Sequence, residues 1–302
     1  MSKWQKSPSR RQFLSGSAAA VAGSMSAGAA AAQTPDPLIT QVQDWASYAG
    51  DGVDEVRYGL PIRFEDDVVR RNVPWLTADP ISSINFTPIH ALDGTITPQG
   101  CAFERHHSGA IELRKQDYRL MVNGLVDRPI ILTYADLERL PRVNHVYFCE
   151  CAANTGMEWA GAQLNGAQFT HGMIHNMEYT GVPLRLVLQQ AGLAAAEDLS
   201  NKWVFVEGAD ASSNGRSIPM EKALDDVIVA FKANGEALRK EHGYPVRLVV
   251  PGWEGNLWVK WLRRIEVTDR SVESREETSK YTDVLANGMA RKWTWVMDAK
   301  SV

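Results

Sequence analysis

The sequence is poor in cysteine. Its 302 residues include three, Cys101, Cys149 and Cys151, and an odd count leaves at least one thiol unpaired. Cys149 and Cys151 are two residues apart, so a disulfide between them would have to pinch an extended strand, and none is expected. No second pair of cysteines or histidines stands at zinc-ligand spacing. A Cys-x-x-Cys-His motif is also missing, so no haem is expected in this chain.

Other motifs that would define a function class are missing as well. The chain has no glycine fingerprint of a Rossmann unit, no Walker phosphate loop and no internal repeat. No run of eighteen apolar residues follows residue 32, so no membrane span is expected.

The first 32 residues have the pattern of a bacterial export signal. Arg10 and Arg11 precede a small, weakly apolar run that ends in Ala30-Ala31-Ala32, which is typical of a twin-arginine signal and its cleavage site. Because that route exports proteins already folded, the pattern predicts a periplasmic protein that takes up a prosthetic group before export. A basic tail in front of a surface helix is the alternative.

Acidic residues outnumber basic residues in the rest of the chain. The leader carries four basic residues and no acidic one, so its removal takes the formal charge from −4 to −8. An acidic mature protein does not suit nucleic acid as a partner. It suits a basic protein partner such as a cytochrome.

The remaining chain predicts an α+β fold with mixed sheets. Residues 33–80 are punctuated by Pro and Asp and are predicted to form an extended arm. From Ile81 onward, short β-branched or aromatic runs alternate irregularly with short helical patterns. The predicted strands cover 81–89, 118–122, 130–132, 143–148, 203–206, 246–250 and 258–267, and the predicted helices cover 133–140, 182–192 and 220–224.

Residues 143–159 contain the strongest chemical signal. A strand pattern from Val143 to Phe148 gives way to a loop of small and polar residues, with Cys151 where the two meet. A thiol at such a junction suits a reactive or metal-binding group. A small buried thiol without reactivity is the alternative for this residue taken alone.

Seven short blocks stand in order along the chain. They are Phe103–His107, Cys151–Asn154, Glu178–Leu184, Glu207–Asp210, Ser217–Met220, Asn234–Arg247 and Pro251–Trp261. In order and spacing they resemble the molybdenum-dependent sulfite oxidase family, from about residue 60 to the end. Two further segments, Gly94–Pro98 and Arg275–Tyr281, resemble the sulfane dehydrogenase branch of that family.

The resemblance implies a domain organisation. Residues 81–270 would form a molybdopterin-binding catalytic domain of the sulfite oxidase type. Residues 271–302 would begin an immunoglobulin-like dimerisation domain that is largely missing from this chain. Family members form homodimers through that domain, so the usual dimer contact is expected to be lost.

The resemblance also implies the roles of individual residues. Cys151 matches the thiolate that binds molybdenum, and soft sulfur suits a metal that accepts and returns electrons. Arg105 matches an arginine that faces the metal-bound oxygens and an anionic substrate, and Tyr281 matches an active-site tyrosine. The residues that match positions around the pterin and its phosphate are His107, Asp210, His242, Arg247 and Lys260.

Alternatives stay open for some of these residues. Arg247 lies in an apolar strand pattern and suits a structural ion pair, while Asp210 and His242 each suit a turn cap. The histidines interpreted as structural or supporting are His106, His171 and His175.

Three departures from the family pattern bear on the site. Ala153 stands where the cysteine motif usually has glycine, so a positive φ there would strain the loop. Trp258 is bulkier than the expected small polar residue and would crowd the pterin pocket. Sulfite oxidases proper carry arginine where this chain has Thr155-Gly156-Met157, and the lower positive charge favours a larger, less charged substrate.

These features predict a periplasmic molybdoenzyme that oxidises sulfane sulfur on a carrier protein and passes electrons to a c-type cytochrome. A dehydrogenase acting on free sulfite is the second choice, and a reductase of the methionine-sulfoxide type is the third. A non-catalytic scaffold that binds a carrier or a cytochrome is the alternative from another class. Trp258 and the missing C-terminal domain favour the scaffold, whereas Cys151 and Arg105 oppose it.

Overall fold

The computed structural model describes residues 57–77, 79–193 and 199–292, together with the isolated positions 46, 49 and 52. The chain divides into two units, Met1–Glu55 and Val56–Val302, and the fold and site described below lie in the second. The predicted export signal lies outside the described residues and stays a prediction. None of the helices in the described part is long and apolar enough to cross a bilayer.

Short strands and short helices make up the described part of the chain. The strands are β1 (Arg71–Asn72), β2 (Ser83–Phe86), β3 (Arg105–His106), β4 (Arg119–Gly124), β5 (Ile130–Thr133), β6 (Val143–Glu150), β7 (Ile174–Pro183), β8 (Trp203–Gly208), β9 (Gly215–Pro219), β10 (Ile228–Ala233), β11 (Glu236–Ala237), β12 (Arg247–Val249), β13 (Leu262–Thr268), β14 (Thr282–Val284) and β15 (Ala290–Lys292). The α-helices are α1 (Tyr134–Glu138), α2 (Ala167–His171), α3 (Leu184–Gln190), α4 (Met220–Asp225) and α5 (Arg275–Ser279).

Two five-stranded sheets carry most of the structure. The first has the order β5-β4-β13-β8-β9 and is antiparallel except for the parallel pair β4 and β13. The second has the order β11-β10-β7-β6, with β12 also paired to β10, and is antiparallel throughout. The predicted α+β fold with mixed sheets is confirmed.

Burial along the strands explains how the sheets pack. In β4, Leu120 and Val122 are buried while Arg119 and Met121 are exposed, which is the alternation of a strand with one covered face. β12 is buried at each position and β10 at all but one, as expected of strands covered on both faces. Buried apolar side chains from both sheets join one core cluster.

Two small sheets flank this core. β3 pairs with β2, placing Ser83 opposite His106 and Ile84 opposite Arg105, and β1 pairs with the other edge of β2. β2 therefore lies between β1 and the strand that carries Arg105. The second small sheet is the hairpin of β14 and β15. The predicted domain boundaries at 80, 270 and 302 stay predictions.

Two predicted elements are wrong at their starts. The helix predicted from Val182 begins at Leu184, because Val182 and Pro183 end β7 and pair with β10. The strand predicted from Trp258 begins at Leu262, because a 3-10 turn occupies Gly255–Leu257 and Trp261 has a φ of +50°. That backbone conformation is incompatible with an extended strand.

Candidate active site

One cavity, hereafter the central cavity, is lined by residues from both large sheets and from the segment that follows α5. It encloses about 770 Å³ including its open mouth. All eight residues that the sequence predicted for the site line it: Arg105, His107, Cys151, Asp210, His242, Arg247, Lys260 and Tyr281. The structure therefore brings together side chains that are up to 176 residues apart, from 105 to 281.

The loop after β6 fixes the position of Cys151. The backbone N–H of Cys151 donates to the carbonyl of Met173 at 3.0 Å. Asn154 ties the same loop down twice, because its amide donates to Glu150 at 2.9 Å and its oxygen accepts from the N–H of Met173 at 3.0 Å. The thiol thus projects from a loop that is anchored at both ends.

The backbone of this loop leaves the alanine unstrained. Within the loop, the non-glycine residue with a positive φ is Thr155, at 63°, and not Ala153. The strain considered for alanine at position 153 therefore does not arise.

The Cys151 thiol lies in a mixed electrostatic environment. Burial raises its pKa, while a hydrogen bond from the Ala153 backbone and the charge of Arg105 lower the pKa. Cys101, Cys149 and Cys151 are all free thiols. A metal ion at Cys151 would favour the thiolate that burial alone disfavours.

Arg105 projects from β3 and is held by backbone carbonyls. Its Nη1 atom donates to the carbonyl of His106 at 2.7 Å and to that of Ser83 at 3.2 Å. Because the described part of the chain brings no carboxylate into a salt bridge with it, its positive charge stays available to an anion in the central cavity.

Arg247 and Lys260 add two more cations to the central cavity. Arg247 is 4% exposed and donates to the carbonyl of Trp258 at 3.0 Å. Lys260 donates to the carbonyls of Arg105 at 2.9 Å and Glu241 at 2.8 Å. Burial and the charge of Arg247 lower the pKa of Lys260 to about 7.

No carboxylate of the described residues lies within salt-bridge distance of these two cations. Among the described residues, neither Arg247 nor Lys260 forms a salt bridge, so the structural ion pair considered for Arg247 is not found. Buried cations without partners are costly unless an anion binds beside them. The arrangement suits a phosphate.

Asp210 and His242 combine a local role with a place in the central cavity. Asp210 accepts a hydrogen bond from the Ser212 hydroxyl and caps its own turn, as its turn-cap alternative predicted. His242 ends a 3-10 turn and is followed by Gly243 with a φ of +103°. Both side chains are buried and line the central cavity.

Tyr281 reaches the central cavity because α5 is anchored to β9. The Glu277 carboxylate accepts hydrogen bonds from the backbone N–H of Ser217 at 2.6 Å and from that of Ser274 at 2.9 Å. The guanidinium of Arg216 lies 4.5 Å from the centroid of the Tyr281 ring. Burial and the nearby Cys151 raise the pKa of Tyr281 to about 12, so its hydroxyl stays protonated at neutral pH.

Sequence reasoning missed part of the site. Arg216 is 1% exposed, lines the central cavity and donates to Asn256 at 3.1 Å; the signal for it was its position directly before the block Ser217–Met220. His106 and His175 also line the central cavity, although they were interpreted as structural. His171 ends α2 and bonds the Thr170 hydroxyl.

The central cavity fits a metal that is delivered by an organic ligand. Among the residues that the structure describes, no three His, Cys, Asp or Glu side chains are grouped to hold a metal ion. Ligands from outside the described residues must therefore complete a metal site at Cys151. Three buried ring nitrogens in the cavity walls, Nδ1 of His106, His175 and His242, lack a hydrogen-bond partner among the described residues. They fit a polar ligand with its own donors and acceptors.

Comparison with known proteins points to a molybdopterin-binding domain. Residues 107–276 match the family model described as the oxidoreductase molybdopterin binding domain. The mitochondrial sulfite oxidase of Mus musculus is 34% identical over 227 residues, which are 72% of this chain and 40% of that protein. The NADH nitrate reductase of Volvox carteri is 36% identical over 193 residues, which are 60% of this chain and 22% of that protein.

A solved structure is more similar still. The chain is 69% identical to a chain in the crystal structure of the sulfane dehydrogenase SoxCD from Paracoccus pantotrophus, with a TM-score of 0.79. The match covers 88% of this chain and 67% of that chain. By contrast, this chain spans less than half the length of the two curated relatives named above.

Proposed function

Because the chain belongs to the sulfite oxidase family of molybdopterin-dependent oxidoreductases, we propose that it is a periplasmic sulfane dehydrogenase. Its substrate is a sulfane sulfur on a carrier protein, and its electron acceptor is a c-type cytochrome. The observation that carries this proposal is the convergence of Cys151, Arg105 and Tyr281 on one cation-rich cavity. The 69% identity to the sulfane dehydrogenase SoxCD supports the choice of substrate.

The residues of the central cavity divide into two roles. Cys151 would ligate molybdenum, and His107, Asp210, His242, Arg247 and Lys260 would hold the pterin and its phosphate. When bound, the molybdenum cofactor supplies two-electron oxidation at sulfur with oxygen derived from water. Each such step adds one oxygen to the sulfur and releases two protons, and the two electrons leave to the cytochrome.

Arg105 and Tyr281 act on the oxidised sulfur group. Negative charge accumulates on oxygen as the sulfur is oxidised, and the planar guanidinium of Arg105 is the right shape to bind an oxyanion. Tyr281 remains protonated at neutral pH and donates a hydrogen bond to the same group. Both side chains bind the charge that develops on oxygen in the transition state more strongly than they bind the starting sulfur, which is how such residues lower a barrier.

The loop that begins at Cys151 supports a protein as the substrate carrier. Trp159 is 72% exposed on this loop and Leu164 is fully exposed. Large apolar side chains exposed on one loop are a feature of protein contact surfaces. Thr155-Gly156-Met157 bring no cation there, so the loop offers little to attract a small dianion.

Free sulfite is the second candidate substrate. The observation in its favour is the set of buried cations without carboxylate partners, Arg247 and Lys260 among the described residues. In the first proposal these cations are neutralised by the phosphate of the cofactor and are not free to bind sulfite. A kinetic comparison separates the two substrates.

The proposal is tested by metal content and then by turnover. The purified protein should hold about one molybdenum per chain, and Cys151→Ala should remove it. Cys149→Ala is the matched control, because Cys149 is a buried thiol two residues away that is assigned no ligand role. With cytochrome c as acceptor, a carrier persulfide should be oxidised with a higher kcat/KM than sulfite. Absence of molybdenum from a folded sample contradicts the enzyme reading, and faster turnover of sulfite contradicts the substrate assignment.

A further inference from the structure

His175 and His242 line the central cavity side by side. Their ring centroids are 6.0 Å apart, and their side chains are 3% and 2% exposed. β6 and β7 place His175 directly opposite Cys149, two residues before the predicted metal ligand Cys151. Within the described residues the Nδ1 atom of each ring has no hydrogen-bond partner. Buried nitrogens of this kind are costly unless a ligand satisfies them.

The ring of His242, which lines the central cavity, has an acceptor nitrogen without a partner among the described residues. Its Nε2 atom lies 3.3 Å from the carbonyl oxygens of both Ala102 and Phe103. Carbonyl oxygens only accept, so Nε2 carries the hydrogen. Burial and the neighbouring cations hold the pKa of His242 well below its usual value, so the ring is neutral. Its Nδ1 atom is therefore bare and can only accept a hydrogen bond.

Tyr179 determines which nitrogen of the His175 ring carries the hydrogen. The Nε2 atom of His175 lies 2.9 Å from the Tyr179 hydroxyl. Tyr179 is fully buried, and burial raises its pKa above the usual value for tyrosine, so the hydroxyl keeps its hydrogen. No other partner for this hydroxyl is found in the described part of the chain. The hydroxyl hydrogen therefore has Nε2 of His175 as its acceptor.

Counting unsatisfied groups gives the same assignment. Burial holds the pKa of His175 well below its usual value, so this ring is also neutral and carries one hydrogen. If that hydrogen were on Nε2, both the Tyr179 hydroxyl hydrogen and the bare Nδ1 would lack partners. With the hydrogen on Nδ1, the Tyr179 hydroxyl is satisfied and a single donor is left without a partner among the described residues, on a side chain that lines the central cavity.

We propose that His175 is a further cofactor-binding residue, whose Nδ1–H donates a hydrogen bond to an acceptor atom of molybdopterin. His242 accepts beside it, so the pair presents one donor and one acceptor. A pterin matches such a pair, because the edge of its pyrimidine ring alternates N–H donors with nitrogen and carbonyl acceptors. Tyr179 is then a positioning residue that selects the donating tautomer of His175.

The inference is tested by the rate at which the holoenzyme releases its cofactor. His175→Leu removes the donor, whereas His175→Asn keeps an amide N–H close to the position of Nδ1. Tyr179→Phe removes the hydroxyl that fixes the tautomer. Tyr118→Phe is its matched control: Tyr118 is equally buried and its hydroxyl donates to the carbonyl of Leu262 at 2.6 Å, away from the central cavity.

The readouts are molybdenum per chain and the rate of pterin release on mild heating, followed by fluorescence. His175→Leu should release the cofactor about tenfold faster than the unaltered protein, the size expected for one lost hydrogen bond. His175→Asn should stay within about threefold, since it keeps a donor. Tyr179→Phe should release the cofactor faster than Tyr118→Phe.

Two results would overturn the inference. One is a release rate of His175→Leu equal to that of the unaltered protein, in a sample whose circular dichroism is unchanged. The other is an equal rate of cofactor release from Tyr179→Phe and Tyr118→Phe. Should His175→Leu fail to fold, this second comparison alone tests the inference. Because no substrate is added, failure of the sulfane proposal would leave these measurements unaffected.

Discussion

The Nη2 atom of Arg105 lies 3.1 Å from Nδ1 of His107. A guanidinium can only donate, so Nδ1 accepts, and the neutral imidazole carries its hydrogen on Nε2. Burial and the charge of Arg105 together lower the pKa of His107 to about 4. The residue proposed to bind the substrate therefore also sets the tautomer of a residue proposed to bind the cofactor.

Replacing Arg105 should separate turnover from cofactor content. Arg105→Gln removes the charge that binds an oxyanion, and kcat/KM should fall about 10- to 100-fold, as for the loss of one charge-assisted hydrogen bond. Molybdenum content should change little. Arg263→Gln is the control, because Arg263 is half exposed and pairs with Glu207 outside the central cavity. An unchanged kcat/KM in Arg105→Gln would contradict the assigned role.

The buried neutral histidines should make stability depend on pH. In the unfolded chain, His107, His175 and His242 bind protons below about pH 6.5, whereas in the folded chain their pKa values are lowered. The unfolded state thus binds more protons, and the free energy of unfolding should fall as the pH drops from about 6.5 towards 4.

Urea unfolding at several pH values across this window measures the effect. His107→Gln should show a weaker pH dependence than the unaltered protein. The pKa of Glu104 is also lowered, to about 2, so this carboxylate too makes stability fall as the pH falls, but in a more acidic range. The stabilisation that the Glu104 carboxylate gives to the folded state is fully present above the usual pKa range of carboxyl groups and is lost only at lower pH. A free energy of unfolding that stays constant between about pH 6.5 and 5 would contradict the assignment of neutral rings.

Lys260 should couple anion binding to pH. Its pKa of about 7 means that it loses its proton as the pH rises through neutrality. Sulfate, which does not titrate in this range, should bind the cofactor-free protein more weakly as the pH rises through 7. Arg247→Met removes a neighbouring cation and should move the midpoint upward. Lys240→Met should leave the profile unchanged, because Lys240 is exposed and pairs with Glu112. Calorimetric titration with sulfate at several pH values measures the affinity of the unaltered protein and of both variants.

Gly181 should tolerate no side chain. A Cβ atom at this position would lie 2.4 Å from the carbonyl oxygen of Val229 on the neighbouring strand β10. Gly181→Ala should therefore destabilise the fold by about 1–3 kcal/mol, the range for overpacking. Gly156→Ala, where the nearest atom is 4.0 Å away, is the control and should change the free energy of unfolding much less. Denaturant unfolding of both variants makes the comparison.

Local signals in the sequence predicted much of the fold. β4, β5 and β8 follow from short runs of apolar, mostly β-branched or aromatic residues, and α1 follows from Thr133, which forms a capping box with Asp136. β7 was missed because His175, Asn176 and other polar residues interrupt its apolar pattern. The partner of the Asn176 amide comes from a distant segment, because this amide donates to the carbonyl of Thr95 at 2.7 Å. Such partners are not visible in the sequence near the strand.

The site was predicted on different grounds. Cys151 was singled out by its place between a strand and a loop, but Arg105 and the residues around the pterin came from the family resemblance. Arg216 and His175 were missed, because what makes them notable is burial beside the central cavity. Burial of a polar residue depends on elements that only the folded chain brings together.

The anchoring of α5 has a consequence for the order in which the protein can be made. Cys151 is synthesised well before Ser217 of β9, and Glu277 is synthesised later still. Only then can the Glu277 carboxylate bind the backbone of Ser217, and this contact places Tyr281 in the wall of the central cavity. A nascent chain that ends before α5 has the cysteine but not this wall. Enclosure of the cofactor must therefore wait until translation has passed Tyr281.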